Sequence, residues 1–188
     1  MRTLFATFVL MLTLLFAASA IAQEPVLAKE FVGQVEFVQG RLVDLANAVP
    51  QANYSWRPEE GVRSVGEVYL HAAFGNYIFV TVSGGTVPKD VGFEMDFSKA
   101  KAWETQTTDK TEIIEILNQS FATLKERVAV LTEEDLNREV EIFGMKMSVR
   151  NFSISMIGHA HEHLGQSVAY ARINGVTPPW SQKSEDEG

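Results

Sequence analysis

The sequence of 188 residues contains no cysteine. Disulfide bonds, thiolate metal ligands and lipid attachment through cysteine are therefore excluded. A metal ion could be held only by nitrogen and oxygen atoms, and the fold has to be stabilised by a packed core without covalent cross-links. Histidine is also scarce, with four residues in the chain, so the positions of those four are informative.

Positive charge is in short supply as well. The chain has 16 basic and 24 acidic residues and a formal net charge of −8 at pH 7, and no cluster of lysine and arginine interrupts this excess. Removing Arg2, the single charge of the N-terminal segment described next, makes the balance more negative. Such a chain would repel a phosphate backbone. The composition therefore argues against nucleic acid as a partner.

An apolar run behind Arg2 extends almost unbroken from Leu4 to Phe16. It is shorter than a membrane-spanning helix requires, and Ala20-Ile21-Ala22 has the small-x-small pattern of a cleavage site. These features predict a signal peptide over residues 1–22 and a mature protein that begins near Gln23. The protein is then exported, periplasmic or secreted, with no stable membrane anchor after cleavage; an uncleaved anchor is the alternative.

Four later segments carry apolar residues at spacings of three and four, the period of an amphipathic helix. Because they leave too little sequence for a substantial sheet, we predict one all-α four-helix bundle domain over residues 23–182. A disordered acidic tail is predicted at residues 183–188. The four segments are Val26 to Val49, Ser64 to Ser83, Asp109 to Leu131 and Ser148 to Asn174.

The link between the second and third predicted helices, residues 83–108, is unusually long and shows no helical period. It could run the length of a bundle, so those two helices need not be antiparallel neighbours. Its aromatic residues predict a packed crossover, and a lid over a pocket is the functional alternative. A second link, residues 139–149, alternates around Gly144 in a way that favours a small hairpin or an extended connection.

Three of the four histidines lie together on the fourth predicted helix. Residues four apart share one face of a helix, so His159 and His163 can present two imidazoles to one ion, whereas His161 points elsewhere. His71, on the second predicted helix, could supply a third nitrogen across the seam between the two helices. Our hypothesis is that His71, His159 and His163 bind one divalent metal ion.

The same segment contains the H-x-x-E-H pattern of inverted zincins, with Glu162 as the general base. Those peptidases need a further carboxylate ligand downstream, and the acids that follow His163 lie in the predicted tail, so the match is poor. Glu162 could still orient a ligand histidine, or it could be a solvated residue. Gln166, one turn beyond His163, could likewise bond a ligand or satisfy a neighbouring helix. Three hydrogen-bonded histidines without metal are the simplest alternative.

Taken together, the region from Phe31 to Trp180 resembles the DinB-like (DinB/YfiT-type) four-helix bundles, a family of metalloenzymes that includes thiol-dependent S-transferases and isomerases. The resemblance implies a metal triad at His71, His159 and His163. It also implies an up-down-down-up bundle with a long crossover between helices two and three, and it suggests a homodimer, which is common in the family. The residues that carry it are Trp56-Arg57-Pro58, Arg63 to Glu67, His71, His159, His163, Gly165-Gln166, Gly175 and Pro178-Pro179.

Three neutral imidazoles would leave coordination positions open for water or substrate, as in catalytic sites. Zinc, nickel and iron all accept imidazole nitrogen. We therefore predict an exported metal-dependent transferase or hydrolase of a small-molecule substrate, without assigning a catalytic residue. Export would separate the protein from thiol cofactors that are kept in the cytoplasm. The alternative is a non-catalytic metal- or ligand-binding bundle with a stress-response or structural role.

Overall fold

A computed structural model describes residues 26–182, so the predicted signal peptide and the predicted tail at 183–188 lie outside the described residues. Four long helices dominate the structure, as the sequence predicts. Among residues 26–182, no helix combines the length and the hydropathy that crossing a membrane requires. The helices are α1 (Val26–Ala48), α2 (Val65–Val82), α3 (Ala100–Glu104), α4 (Lys110–Ala129), α5 (Glu133–Asn137) and α6 (Val149–Ile173), and the strands are β1 (Glu139–Ile142) and β2 (Met145–Ser148).

Helix α2 is the most deeply buried element of the bundle. Every residue from 65 to 80 is buried except His71. The sequence predicts an inward stripe on this helix, but the structure covers nearly all of it, because α2 packs against α4, α6 and the short helix α3 at once. Helix α1 packs against α4 and α6 as well. The two seams that α2 makes with α4 and α6 therefore contain much of the core.

The direction of each long helix follows from the order of its contacts. Nδ2 of Asn76 on α2 donates a hydrogen bond to Oγ of Ser120 on α4 at 3.0 Å. Further along both chains, Nε of Arg127 donates to Oγ of Ser83 at 3.2 Å. Residue numbers rise together along this seam, so α2 and α4 run parallel. Parallel neighbours cannot be joined by a tight turn, which is why a long crossover connects them.

Helices α2 and α6 run in opposite directions. The ring of Phe79 near the end of α2 stacks on Phe152 at the start of α6, with centroids 5.6 Å apart, while His71 lies beside His159 further along α6. The up-down-down-up arrangement is thereby confirmed. Helices α1 and α4 are antiparallel as well, as the hydrogen-bonded pairs Gln39–Asn118 and Val49–Lys110 show.

The crossover contains more regular structure than the sequence predicts. It forms α3 and two short 3-10 turns, Lys89–Val91 and Phe97–Lys99. Segments this short cannot display a helical period, which is why the sequence pattern missed them. The indole of Trp103 is buried and donates to the carbonyl of Val91 at 3.1 Å. The crossover is therefore packed against the bundle as predicted, although Phe97 keeps 47% of its surface exposed.

The predicted hairpin is confirmed. Strands β1 and β2 pair antiparallel, with Ile142 opposite Met145, around the two-residue turn Phe143-Gly144. Both turn residues have positive φ, 55° and 72°, as a type I′ turn requires. Glycine adopts this conformation freely, whereas it costs energy for phenylalanine. The turn therefore holds an aromatic side chain at a position where a small or polar residue is usual.

Candidate metal centre

The structure brings His71, His159 and His163 together between α2 and α6. Nε2 of His159 lies 3.1 Å from Nε2 of His71 and 3.1 Å from Nε2 of His163. One ligand atom from each of the three residues lies within 4.8 Å of the other two. Two nitrogens that each bind one ion at about 2.0 to 2.1 Å can be at most about 4.2 Å apart, so the two measured separations fit a shared ion.

Local structure on α2 places the first of these imidazoles. The hydroxyl of Ser64 accepts from the backbone N–H of Glu67, and the Glu67 carboxylate accepts from the backbone N–H of Ser64, which is the capping box that the sequence predicts. Glu67 also accepts a hydrogen bond from Arg57 at 2.8 Å. The start of α2 is thus fixed two turns before His71.

Gly75 provides the space for the second imidazole. A Cβ added there would lie 2.6 Å from Cε1 and 3.0 Å from Nδ1 of His159. Contacts this short do not occur for real Cβ atoms, so a side chain at this position would push the imidazole away. The absence of a side chain at Gly75 therefore lets α6 present His159 close to the backbone of α2.

The crossover contributes a carboxylate that the sequence analysis missed. Glu104, at the end of α3, is only 2% exposed, and its Oε1 lies 2.6 Å from Nδ1 of His71. Arg63 binds the same carboxylate, with Nε 2.7 Å from Oε2. Ligand histidines in metal sites commonly donate their second ring N–H to such a carboxylate. Glu104 therefore occupies the place of an orienting residue for His71.

The third imidazole is held from its own helix. Nδ1 of His163 lies 3.0 Å from Oε1 of Gln166, whose amide nitrogen donates to the hydroxyl of Tyr170 at 3.0 Å. The ring of Trp56 meets Tyr170 edge-on with centroids 5.4 Å apart. Gln166 thus contacts a candidate ligand, as one of its two predicted roles requires.

The other two polar residues of this segment lie away from the cluster. Nδ1 of His161 lies 2.9 Å from the carbonyl of Ile157, and its ring stacks beside Phe37 on α1. Glu162 is exposed, and within residues 26–182 no hydrogen bond or ion pair joins it to a histidine. The structure therefore separates His161 from the three converging imidazoles and places Glu162 in solvent.

Protonation follows from these contacts. Burial alone would raise the pKa of the Glu104 carboxyl, but the hydrogen bonds and charges of His71 and Arg63 outweigh it and lower the pKa to about 2. An ionised carboxylate can only accept, so Nδ1 of His71 carries a proton, and in the neutral imidazole Nε2 then carries the lone pair. The amide oxygen of Gln166 has the same effect on His163. Two lone pairs therefore point toward Nε2 of His159.

The surroundings of His159 and His163 favour the neutral form of these two imidazoles. Burial, followed by the neighbouring rings of His163 and His71, lowers the pKa of His159 to about 3. Burial also lowers the pKa of His163, against the opposing effect of its hydrogen bond with Gln166. Nε2 of His159 carries at most one proton, whereas two lone pairs face it. One of these two lone pairs therefore has no hydrogen-bond donor within the cluster. A divalent cation fits this donor set, because it binds neutral imidazole through the lone pair.

A cavity of about 310 Å³ opens at the edge of the cluster formed by His71 and His159. Its walls come from α2, the crossover, the hairpin and α6, and they are mainly aromatic, aliphatic and methionine side chains. We call it the apolar chamber. The side chains that define it are Phe74, Ile78, Phe97, Phe143, Met147 and Met156.

Comparison with known proteins points to one family. The family model described as the DinB superfamily matches residues 34–167. No curated protein sequence matches the chain.

Three solved structures share the fold. A DinB-like protein from Bacillus cereus ATCC 10987 is 18% identical with a TM-score of 0.67, over 80% of this chain and 95% of its own. The DinB-like protein YjoA from Bacillus subtilis is 23% identical with a TM-score of 0.62, over 82% and 98%. YfiT from Bacillus subtilis, described as a probable metal-dependent hydrolase with an unusual four-helix bundle topology, is 16% identical with a TM-score of 0.61, over 85% and 93%.

Proposed function

The chain belongs to the DinB superfamily, and from this premise we propose that it is a metal-dependent hydrolase or transferase of a small molecule. In this proposal one divalent ion, zinc, nickel or iron, is bound by Nε2 of His71, His159 and His163. The observation that carries the proposal is the convergence of three Nε2 atoms, with Nδ1 of two of the rings already engaged by Glu104 and Gln166. The description of YfiT as a probable metal-dependent hydrolase supports the reaction class.

When bound, an ion in an open three-imidazole site supplies Lewis-acid activation of water or of a carbonyl group. The protein's own residues prepare the site for this chemistry. Glu104 holds the Nδ1 proton of His71 and raises the basicity of its Nε2, and Gln166 does the same more weakly for His163. Arg63 fixes the Glu104 carboxylate through two hydrogen bonds of 2.7 and 3.2 Å. Burial of His159 and His163 favours their neutral form, which is the form that binds a metal ion.

Access to the site favours an enzyme over a non-catalytic metal-binding bundle with a structural or stress-response role. A structural metal site is closed by a fourth protein ligand. Within residues 26–182, no fourth histidine, aspartate or glutamate joins the cluster. The nearby carboxylate of Glu104 is occupied by His71 and Arg63. The apolar chamber adjoins the His71–His159 edge, so a small molecule could reach that side of the ligand set.

Metal analysis of the purified protein tests the proposal. We expect close to one divalent ion per chain, and replacement of His71, His159 or His163 by alanine should remove most of it. His161→Ala is the matched control, because it removes an imidazole from the same helix but outside the cluster. Loss of metal in the His161 variant, or retention in the His159 variant, would contradict the triad.

Activity then separates the two functional alternatives. The metal-loaded protein should hydrolyse or transfer a group of a small ester, amide or thiol substrate, and removal of the ion by a chelator should abolish turnover, which returns when the ion is restored. A stoichiometric ion in a protein that turns over none of these substrate classes would favour the non-catalytic alternative.

We also propose that the protein is exported, with cleavage near Gln23, because the apolar run and the Ala20-Ile21-Ala22 pattern suit signal peptidase. Mass spectrometry of the N-terminus after expression with an intact secretion pathway tests this. An intact Met1 in the soluble fraction of the cytoplasm would contradict it. The homodimer that the family resemblance suggests is a separate proposal, which sedimentation velocity of the purified protein tests.

A further inference from the structure

We propose that the apolar chamber is the substrate pocket of the metal site and that it receives an uncharged, compact apolar group, aromatic or branched aliphatic. This group would be attached directly to the polar group that reaches the ion. The inference rests on the proposed function, since it assigns a substrate class to the same site. It is carried by the position, lining and size of the chamber.

The chamber lies beside two of the three imidazoles. The chamber touches His71 and His159, but His163 is not part of its wall. A ligand in the chamber therefore approaches the cluster from the side of His71 and His159. The chamber and the open side of the ligand set are adjacent, so a single small molecule can occupy both.

The charges of the wall argue for an uncharged group. Apart from the imidazoles, the lining contains one cation and one anion, Arg63 and Glu104. These two residues bind each other, and Glu104 also binds His71. Their charges offset each other, so the wall has no net charge to pair with a charged substituent, and an unpaired charge in such surroundings would lose its hydration without compensation. Apart from Ser155, whose hydroxyl donates to the carbonyl of Asn151, the remaining side chains of the wall offer carbon and sulfur atoms, which suit an apolar group.

The outer wall is formed by apolar side chains that solvent reaches. Phe97 on the crossover and Phe143 at the hairpin tip are 47% and 60% exposed, and their ring centroids lie 5.2 Å apart. Met145 beside them is 53% exposed. Phe143 holds its place with a φ of 55°, an energetically costly conformation. A ligand in the chamber would bury parts of these side chains, whereas without one they contribute little to folding.

Volume limits the size of the group. An apolar cavity of about 150 Å³ holds a benzene molecule. The chamber, at about 310 Å³, accommodates one substituted ring or a group of two fused rings. The group that the chamber receives is therefore between a branched alkyl group and two fused rings in size.

Two hydroxamates, acetohydroxamate and benzohydroxamate, test the inference on the metal-loaded full-length chain. Both present the same chelating head to the ion and differ in a methyl or a phenyl group. Calorimetry should show that the phenyl compound binds about tenfold tighter or more, which corresponds to about 1.4 kcal/mol. Equal affinities, or tighter binding of the methyl compound, would overturn the inference while leaving the metal site intact.

Variants of the chamber wall then test whether the phenyl group binds in the chamber. Phe97→Ala and Phe143→Ala change exposed residues of the chamber wall, and each should weaken binding of the phenyl compound severalfold more than binding of acetohydroxamate. Phe37→Ala is the matched control, because Phe37 is similarly exposed, at 51%, but lies on α1 outside the chamber. A phenyl advantage that survives both chamber variants would place the ring elsewhere and overturn the assignment.

A measurement without added metal distinguishes failure of the chamber proposal from failure of the metal-site proposal. Benzamide, which carries the ring without the chelating head, is titrated into the full-length chain labelled at the methionine methyl groups. The signals of Met145, Met147 and Met156 should move, since these residues line the chamber, whereas that of Met95 should not. No movement of the three signals would overturn the chamber assignment even if metal binds. Movement in a protein that takes up no metal would support the chamber and contradict the metal centre.

Discussion

Helix α2 packs against two of the long helices, α4 and α6, and the buried polar groups of these two seams are paired in different ways. Toward α4, the amide of Asn76 donates to the hydroxyl of Ser120, whose own proton goes to the carbonyl of Leu117. Toward α6, Nε2 of His71 and Nε2 of His163 both face the same nitrogen of His159. The polar groups named in the first seam are paired within the protein, whereas the second seam is the one that we propose binds a cation. Stability and function are thus assigned to opposite sides of one helix.

The largest effect is expected from a substitution on α4, at the seam between α2 and α4. Leu117→Ala removes a side chain that is 0% exposed, and such changes cost about 2 to 5 kcal/mol of unfolding free energy through lost burial and cavity formation. We expect urea unfolding to show this loss, while the variant, where still folded, retains its bound metal. Loss of metal at urea concentrations where the fold is intact would mean that the two seams are coupled.

The next largest effect is expected at the seam between α2 and α6, where the three imidazoles lie. Glu104→Ala leaves Nδ1 of His71 without its acceptor, and removal of such a partner typically lowers metal affinity about 10- to 100-fold. Competition with a chromophoric chelator measures this change. Glu104→Gln keeps an acceptor oxygen of the same size, so it should lower the affinity less. If the two variants bind metal equally well, Glu104 does not act through its hydrogen bond to His71.

Two glycines on α2 give a matched test of the comparison. A Cβ at Gly75 would lie 2.6 Å from Cε1 of His159, and a Cβ at Gly66 would lie 2.8 Å from Cδ1 of Ile113 on α4. Both alanine variants should lose about 1 to 3 kcal/mol of unfolding free energy through overpacking. Gly75→Ala should in addition weaken metal binding about tenfold or more, and Gly66→Ala should not. Equal metal affinities in the two variants would contradict the assignment of metal binding to the seam between α2 and α6.

The smallest expected effect is the pH dependence of the α2 cap. Burial would raise the pKa of Glu67, but the backbone N–H of Ser64 and the charges of Arg57 and Lys101 outweigh it and lower the pKa below the ordinary 4.5. The unfolded state therefore binds a proton more readily, so the stabilisation is present above pH 4.5 and is lost as the pH falls through the folded pKa.

The Glu67→Gln variant tests the direction of this pH dependence. At pH 7 the variant should be less stable than the parent by about 1 kcal/mol, the usual contribution of a helix cap. The difference should shrink when urea unfolding is repeated at pH values below the ordinary glutamate pKa. A difference that stays constant or grows as the pH falls would show that the Glu67 carboxylate does not stabilise the fold in its ionised form.

Local features of the sequence were enough to predict the frame of the molecule. Caps at Ser64 and Ser148 and the apolar periods predict the long helices, because these signals lie within a few residues of each other. The same holds for His159 and His163, whose spacing of four puts them on one face of α6. His71 was proposed as the third ligand because it lies on another predicted helix, and the family resemblance supported that choice, since nothing local in the sequence connects α2 with α6.

Contacts between distant, irregular segments could not be predicted. Glu104 lies in a five-residue helix without a detectable period, and its partners Arg63 and His71 are 41 and 33 residues away in the chain. The same applies to the contact between Phe97 and Phe143, which creates the outer wall of the chamber. For Glu162 the sequence left two roles open, an orienting residue and a solvated one, and its exposed position agrees with the second.

The parallel course of α2 and α4 has a consequence for how this family can diversify. Because a long connection has to bridge these helices, the bundle carries a segment outside its four long helices, and that segment packs against α2 and supplies both Glu104 and Phe97. Under the proposed function, mutations, insertions or exchanges within residues 83–109 would retune ligand preference and metal affinity together, while the imidazoles stay on α2 and α6. The crossover is the natural target for directed evolution of new specificities on an unchanged scaffold.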